Sequence, residues 1–74
     1  MKPTWFDEHF ENMFPEDETY NYAPTEIATR LQKSRGFVYC ALQNLHLEGI
    51  KTGSWIIPKK AVYHWLLERA SLLN

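Results

Sequence analysis

Apolar residues recur along this chain at helical spacing, in segments divided by short polar breaks. Trp5, Phe6, His9, Phe10, Met13 and Phe14 stand at i, i+1, i+4, i+5, i+8 and i+9, with Asp7, Glu8 and Glu11 on the other face. This spacing predicts an amphipathic helix from Thr4 to Phe14. Thr4 with Asp7 is a loose variant of the capping box, early acids suit the helix dipole, and Pro15 ends the helix. Its aromatic face either completes the core of an undersized domain or serves a partner or self-association. Glu16 to Tyr22 (EDETYNY) has no clear period and reads as a solvated acidic linker. Within it, Tyr20 or Tyr22 either opens an edge strand or packs on the next helix.

Thr25 to Asn44 (TEIATRLQKSRGFVYCALQN) organises the remainder. It predicts two short helices with a tight break at Gln32-Lys33-Ser34. Pro24 favours an extended approach and Thr25 caps the first helix, whose stripe is Ile27, Ala28 and Leu31. Ser34 caps the second, whose stripe is Val38, Ala41, Leu42 and Leu45. Arg35, Tyr39 and Gln43 lie between these apolar positions, and all three can donate hydrogen bonds. Further on, Ile50 to Pro58 predicts a hairpin turning at Thr52-Gly53 or Gly53-Ser54. Pro58 suits the first position of a last helix with Ala61, Val62, Trp65, Leu66 and Arg69 at helical spacing. Leu72 and Leu73 either lengthen that helix or touch another subunit.

Charge sharpens this picture more than composition does. The net charge of the 74 residues is −1, but residues 1–26 hold seven acids against Lys2 alone, whereas residues 27–74 hold seven bases against Glu48 and Glu68. The basic excess therefore coincides with the paired helices and the hairpin, as expected of a nucleic-acid binder. So modest an excess points to weak binding by a monomer, with dimers or arrays adding affinity. The single Cys40 cannot form an internal disulfide, which fits a reducing cytoplasm. In mid-helix, among apolar neighbours, it reads as a buried, inert thiol. The scattered His9, His46 and His64 show no metal-ligand spacing. No stretch approaches the roughly 20 apolar residues of a membrane span, and no signal peptide is evident. No catalytic constellation emerges, so the chain reads as non-enzymatic, without a cofactor.

The run Glu26-Ile27-Ala28-x-x-Leu31-x-x-Ser34-Arg35-x-x-Val38-Tyr39 resembles the helix-turn-helix of excisionase and MerR-like winged-helix domains. Gly53-Ser54-Trp55-Ile56-Ile57-Pro58-Lys59-Lys60, followed by Val62 and Trp65, resembles that family's second wing strand and closing helix. The likeness spans Tyr22 to Glu68. It implies a mainly α fold with a small β-hairpin, a winged helix-turn-helix at 22–74, preceded at 1–21 by an extra amphipathic helix and acidic linker. There are departures. The family often has a basic residue where Cys40 stands, Gly36 and Phe37 are unusual at such a helix start, and the glycine after the recognition helix is missing near Leu45. The wing is one residue shorter between Gly53 and Pro58 than in many relatives.

On this reading Ser34 caps the recognition helix and meets phosphate, and Arg35 contacts a base edge or phosphate. Tyr39 contacts phosphate or a thymine methyl, and Gln43 reads adenine. Thr25 and Arg30 touch the DNA backbone from the first helix. Lys33 in the turn, and Lys51, Thr52 and Ser54 in the wing, position the chain on phosphate or the minor groove. Lys59 and Lys60 oppose their own helix dipole, which a nearby phosphate would relieve. Arg35 could instead pair with Glu26. The function implied is sequence-specific binding of double-stranded DNA in a mobile element or phage. The chain would be an excisionase (a recombination directionality factor) or a small transcriptional regulator, its further partner an integrase or a second copy. The phage small-terminase DNA-recognition domain shares the fold. The alternative is a protein-interaction module that keeps the fold and binds DNA weakly or not at all.

Overall fold

Four helices and three short strands follow one another in the computed structural model, which describes residues 2–70. They are α1 (Phe6–Met13), β1 (Asn21–Tyr22), α2 (Pro24–Leu31), α3 (Arg35–Gln43), β2 (Ile50–Lys51), β3 (Trp55–Pro58) and α4 (Lys59–Glu68). The fold is mainly helical, with one antiparallel sheet in the order β1-β3-β2. Leu72 and Leu73 lie outside the described residues.

α1 is shorter than its periodicity suggests, and Thr4 does not cap it; Trp5 is the N-cap and makes no side-chain cap bond. Asp7 is engaged elsewhere, accepting from Lys2 Nζ at 2.8 Å and from the Tyr63 hydroxyl at 2.7 Å. The aromatic face is core. Phe6, Phe10 and Phe14 are buried, with Phe10 stacked between the other two at 6.1 and 5.2 Å. Tyr63 of α4 meets Phe6 and Phe10 edge-on at 5.1 and 5.2 Å. Tyr22 meets Phe14 in the same way at 5.2 Å. These edge contacts suit the ring quadrupoles and fasten α1 to both ends of the remaining chain. His9, at an apolar position of the stripe, is exposed.

The acidic segment is only partly a solvated loop. Asp17, Glu18 and Thr19 are exposed, but Glu16 receives both guanidinium nitrogens of Arg30 at 2.7 Å and the Tyr22 hydroxyl at 2.7 Å. Asn21 and Tyr22 then form a strand, with Asn21 opposite Pro58 and Tyr22 opposite Ile57, so the sheet has one strand more than a hairpin. Pro58 is tolerated in the central strand because β2 pairs no further along it than Ile56. It ends β3 and serves α4 as N-cap, one residue earlier than expected.

α2 begins at Pro24 rather than being capped by Thr25. Ala23 is the extended N-cap, and its N–H donates to the Glu26 carboxylate at 2.9 Å, half of a capping box. Pro24 at the first helical position loses no internal hydrogen bond. The α3 stripe runs Val38 and Leu42, then departs from expectation. Leu45 is 86% exposed, and Leu47 is the buried residue instead. The helix ends at Gln43, and Leu45 takes a left-handed backbone at φ 62°, which redirects the chain. His46 N–H then returns to Ala41 O at 2.9 Å. Gly49 fits beneath Leu42 and Trp55, where an added Cβ would stand 2.9 and 3.0 Å from their side chains.

Two outcomes follow for stability. A leucine in the left-handed region costs about 1 kcal/mol that glycine avoids, and Leu45 has little packing to lose. Leu45→Gly should therefore raise the unfolding free energy by about 1 kcal/mol in urea titration. Separately, the Glu16 carboxyl is held down to about 2 from 4.5, first by the Arg30 guanidinium and then by the Tyr22 hydroxyl. A depressed folded value adds stability that is complete above pH 4.5 and fades as pH falls towards 2. Glu16→Gln should melt lower at neutral pH and lose less on acidification across that window, as read by circular dichroism.

Candidate nucleic-acid interface

The turn between α2 and α3 is built by backbone geometry. Gln32 closes α2 in a left-handed conformation at φ 57°, and Lys33 N–H reaches Ala28 O at 2.9 Å. Ser34 follows in extended conformation, and its hydroxyl accepts the Phe37 N–H at 3.2 Å. The expected cap therefore forms. Beyond it, α3 has no acid in its first turn, so the positive end of the helix is uncompensated.

Arg35, Tyr39 and Gln43 recur at i, i+4 and i+8 and are exposed, on a stripe next to the buried Val38 and Leu42. Gly36 and Cys40 are exposed beside them. Cys40 is thus a correction: it is not buried, because it falls between the two buried positions of α3 on the outward side. Its sulfur accepts from Asn44 Nδ2 at 3.2 Å. Arg35 does not pair with Glu26, whose carboxylate takes the Ala23 N–H and the Tyr20 hydroxyl and stands 4.0 Å from Arg30.

Two exposed lysines rest on aromatic rings. Lys33 Nζ lies 5.8 Å from the Phe37 ring centre and Lys51 Nζ lies 5.4 Å from that of Trp55. Such contacts orient an ammonium group while leaving it open to solvent. Phe37 and Trp55 are themselves half-buried against the core. Lys51 faces Trp55 across the hairpin, and Thr52, Gly53 and Ser54 form its exposed loop, with Gly53 at φ 101°. Thr25 is exposed in the first turn of α2.

The other cations are placed differently. Arg30 is engaged by Glu16 and Met13 O and lies over the Phe14 and Tyr22 rings. Lys59 is only 6% exposed; its ammonium donates to Glu11 at 3.1 Å and to Glu16 O at 2.6 Å. Its unfavourable position at a helix start is thus relieved by a carboxylate of this chain. Neither side chain is left free for a ligand. Lys60 is exposed on α4, where it shares a groove with Leu45, Ile50, His64 and Glu68. No ion pair among the described residues involves Lys33, Arg35, Lys51 or Lys60.

Among the described residues, no group of three or more His, Cys, Asp or Glu side chains could hold a metal ion, and no helix is long and apolar enough to cross a membrane. Comparison of the chain with protein-family models, curated proteins and solved structures finds no match.

Gly36 lacks an internal reason to be glycine. An added Cβ would meet only Ser34 Oγ, at 3.9 Å. Gly36→Ala should raise the unfolding free energy by about 0.5–1 kcal/mol, measured by urea titration.

Proposed function

We propose that α2, α3 and the β2–β3 hairpin make a winged helix-turn-helix, and that the chain reads duplex DNA with α3. The observation carrying this reading is the Ser34-capped α3, which exposes Arg35, Tyr39 and Gln43 along one stripe, with Arg35 in no ion pair among the described residues. A helix with an open, positive N-terminus and donors along its outer face matches what the major groove offers. Arg35 addresses guanine, Tyr39 a phosphate or thymine methyl, and Gln43 adenine. Ser34, Lys33, Lys51, Thr52 and Ser54 hold phosphate, with Thr25 as a backbone contact from α2. The glycine at 36, otherwise unexplained, lets DNA backbone come close to the helix start. By its resemblance to excisionases and MerR-like domains, the chain serves a mobile element or phage in the cytoplasm, as an excisionase or a small regulator. Its charge suits binding as a dimer or cooperative array, or beside an integrase.

A second reading, a protein-interaction module with weak DNA binding, is favoured by the exposure of Leu45 and Ile50.

The test uses a duplex selected from a random pool and an unselected duplex, titrated over a range of salt. Arg35→Ala should weaken binding to the selected duplex by about 1–3 kcal/mol and have a smaller effect on the unselected one. Lys51→Ala should weaken both alike and reduce the salt slope by about 1. Failure to enrich any duplex, or indifference of the selected one to Arg35→Ala, would count against groove reading by α3.

A further inference from the structure

Among the described residues, Leu45 at 86% and Ile50 at 57% are the most exposed large aliphatic side chains. Both line one open groove of about 620 Å³, whose far wall is α4. Leu45 also holds its left-handed backbone at φ 62°, which glycine would adopt without steric cost. A strained, outward leucine on an open groove that also carries His46, Glu48, Lys60, His64 and Glu68 is a feature the monomer's own packing does not use.

The exposed edge of α4 carries a charge order that is wrong for its own helix. Lys60, His64 and Glu68 recur at i, i+4 and i+8 and are all exposed. Lys60 stands in the first turn, at the positive end, and Glu68 in the last, at the negative end. The stripe is about 12 Å long, so these two cannot reach each other. Neither has an ion-pair partner among the described residues.

An antiparallel neighbour with the same order inverts both penalties. Across a two-fold axis at His64, Lys60 faces Glu68 of the second copy and Glu68 faces its Lys60. Each charge then lies beside the end of a helix that it favours. We infer that the Lys60–His64–Glu68 stripe, with Leu45 and Ile50 beside it, forms an isologous contact with a second copy of this chain. Any other antiparallel helix would need the same inverted order, and this chain supplies it. Two-fold self-complementarity of one patch is the usual geometry of a homodimer. The inference gives the self-association proposed above a surface. It is tested without DNA, so its failure is separate from failure of DNA reading.

The experiment is sedimentation equilibrium of the full chain as wild type, Lys60→Glu, Glu68→Lys and the double charge exchange. The wild type should dimerise, and each single exchange should weaken the dimer about tenfold or more. The double exchange, which restores the cross-copy pairs but not their match to the neighbouring helix ends, should bind more tightly than either single one. Leu45→Asp should also abolish the dimer. Melting of dilute samples guards against misfolding: each single exchange suits the ends of α4 and should leave the monomer's Tm unchanged or higher. A wild type that stays monomeric up to about 1 mM overturns the inference. So do dimers indifferent to the single exchanges, or a double exchange as weak as either single one.

Discussion

Arg30 donates through two guanidinium nitrogens to the two carboxylate oxygens of Glu16, each at 2.7 Å, and through one of them to Met13 O at 3.2 Å. The planar fork of arginine matches a carboxylate in this geometry as lysine cannot. Around it, Phe14 and Tyr22 present their rings to the guanidinium at 5.5 and 5.3 Å. The pair joins the end of α1 to α2 and seats β1 through the Tyr22 hydroxyl. Lys59 does the same work from the start of α4, reaching Glu11 and the backbone of Glu16 beside Phe10. An undersized core thereby gains an extra aromatic layer, and the chain's opposed charges hold that layer in place.

This division of cations bears on function. Residues 27–74 carry seven bases, of which Arg30 and Lys59 face acids of the N-terminal part. Lys33, Arg35 and Lys51 remain at the α2–α3 turn, the start of α3 and the hairpin. Lys60 lies on the opposed-charge stripe of α4, and Arg69 is exposed at that helix's C-cap. The surface left for phosphate is small, which is why self-association matters to the proposed DNA binding. A dimer doubles the number of phosphate contacts without a more basic monomer.

The helices were legible because their buried residues keep strict spacing: Phe6 with Phe10, Ile27 with Leu31, and Val38 with Leu42. Ser34 as a cap and the 52–54 loop were legible from turn chemistry. Features that depend on distant partners were not. Nothing local distinguishes Arg30 and Lys59 from Lys33 and Lys51; only the fold brings Glu16 and Glu11 to the former. The place of Leu45 was missed because the helix ends at Gln43 and Leu45 itself takes the left-handed backbone that breaks the helical count, of which leucine gives no warning. Cys40 was misread because apolar neighbours in sequence do not share its side of α3. A closer signal existed for α4, since lysine at its start and glutamate at its end, eight residues apart, already oppose the helix dipole.

The most direct measurement is amide NMR mapping of the full chain as the selected duplex is added at low salt. Shifts are expected at Ser34 to Gln43 and at Lys51 to Ser54, diminishing together as salt rises. The amides of α1 and of residues 16–22 should stay unchanged, because their charged groups are held within the fold. Shifts centred on α1, or none in α3 at saturating duplex, would contradict the claim that α3 is the reading helix.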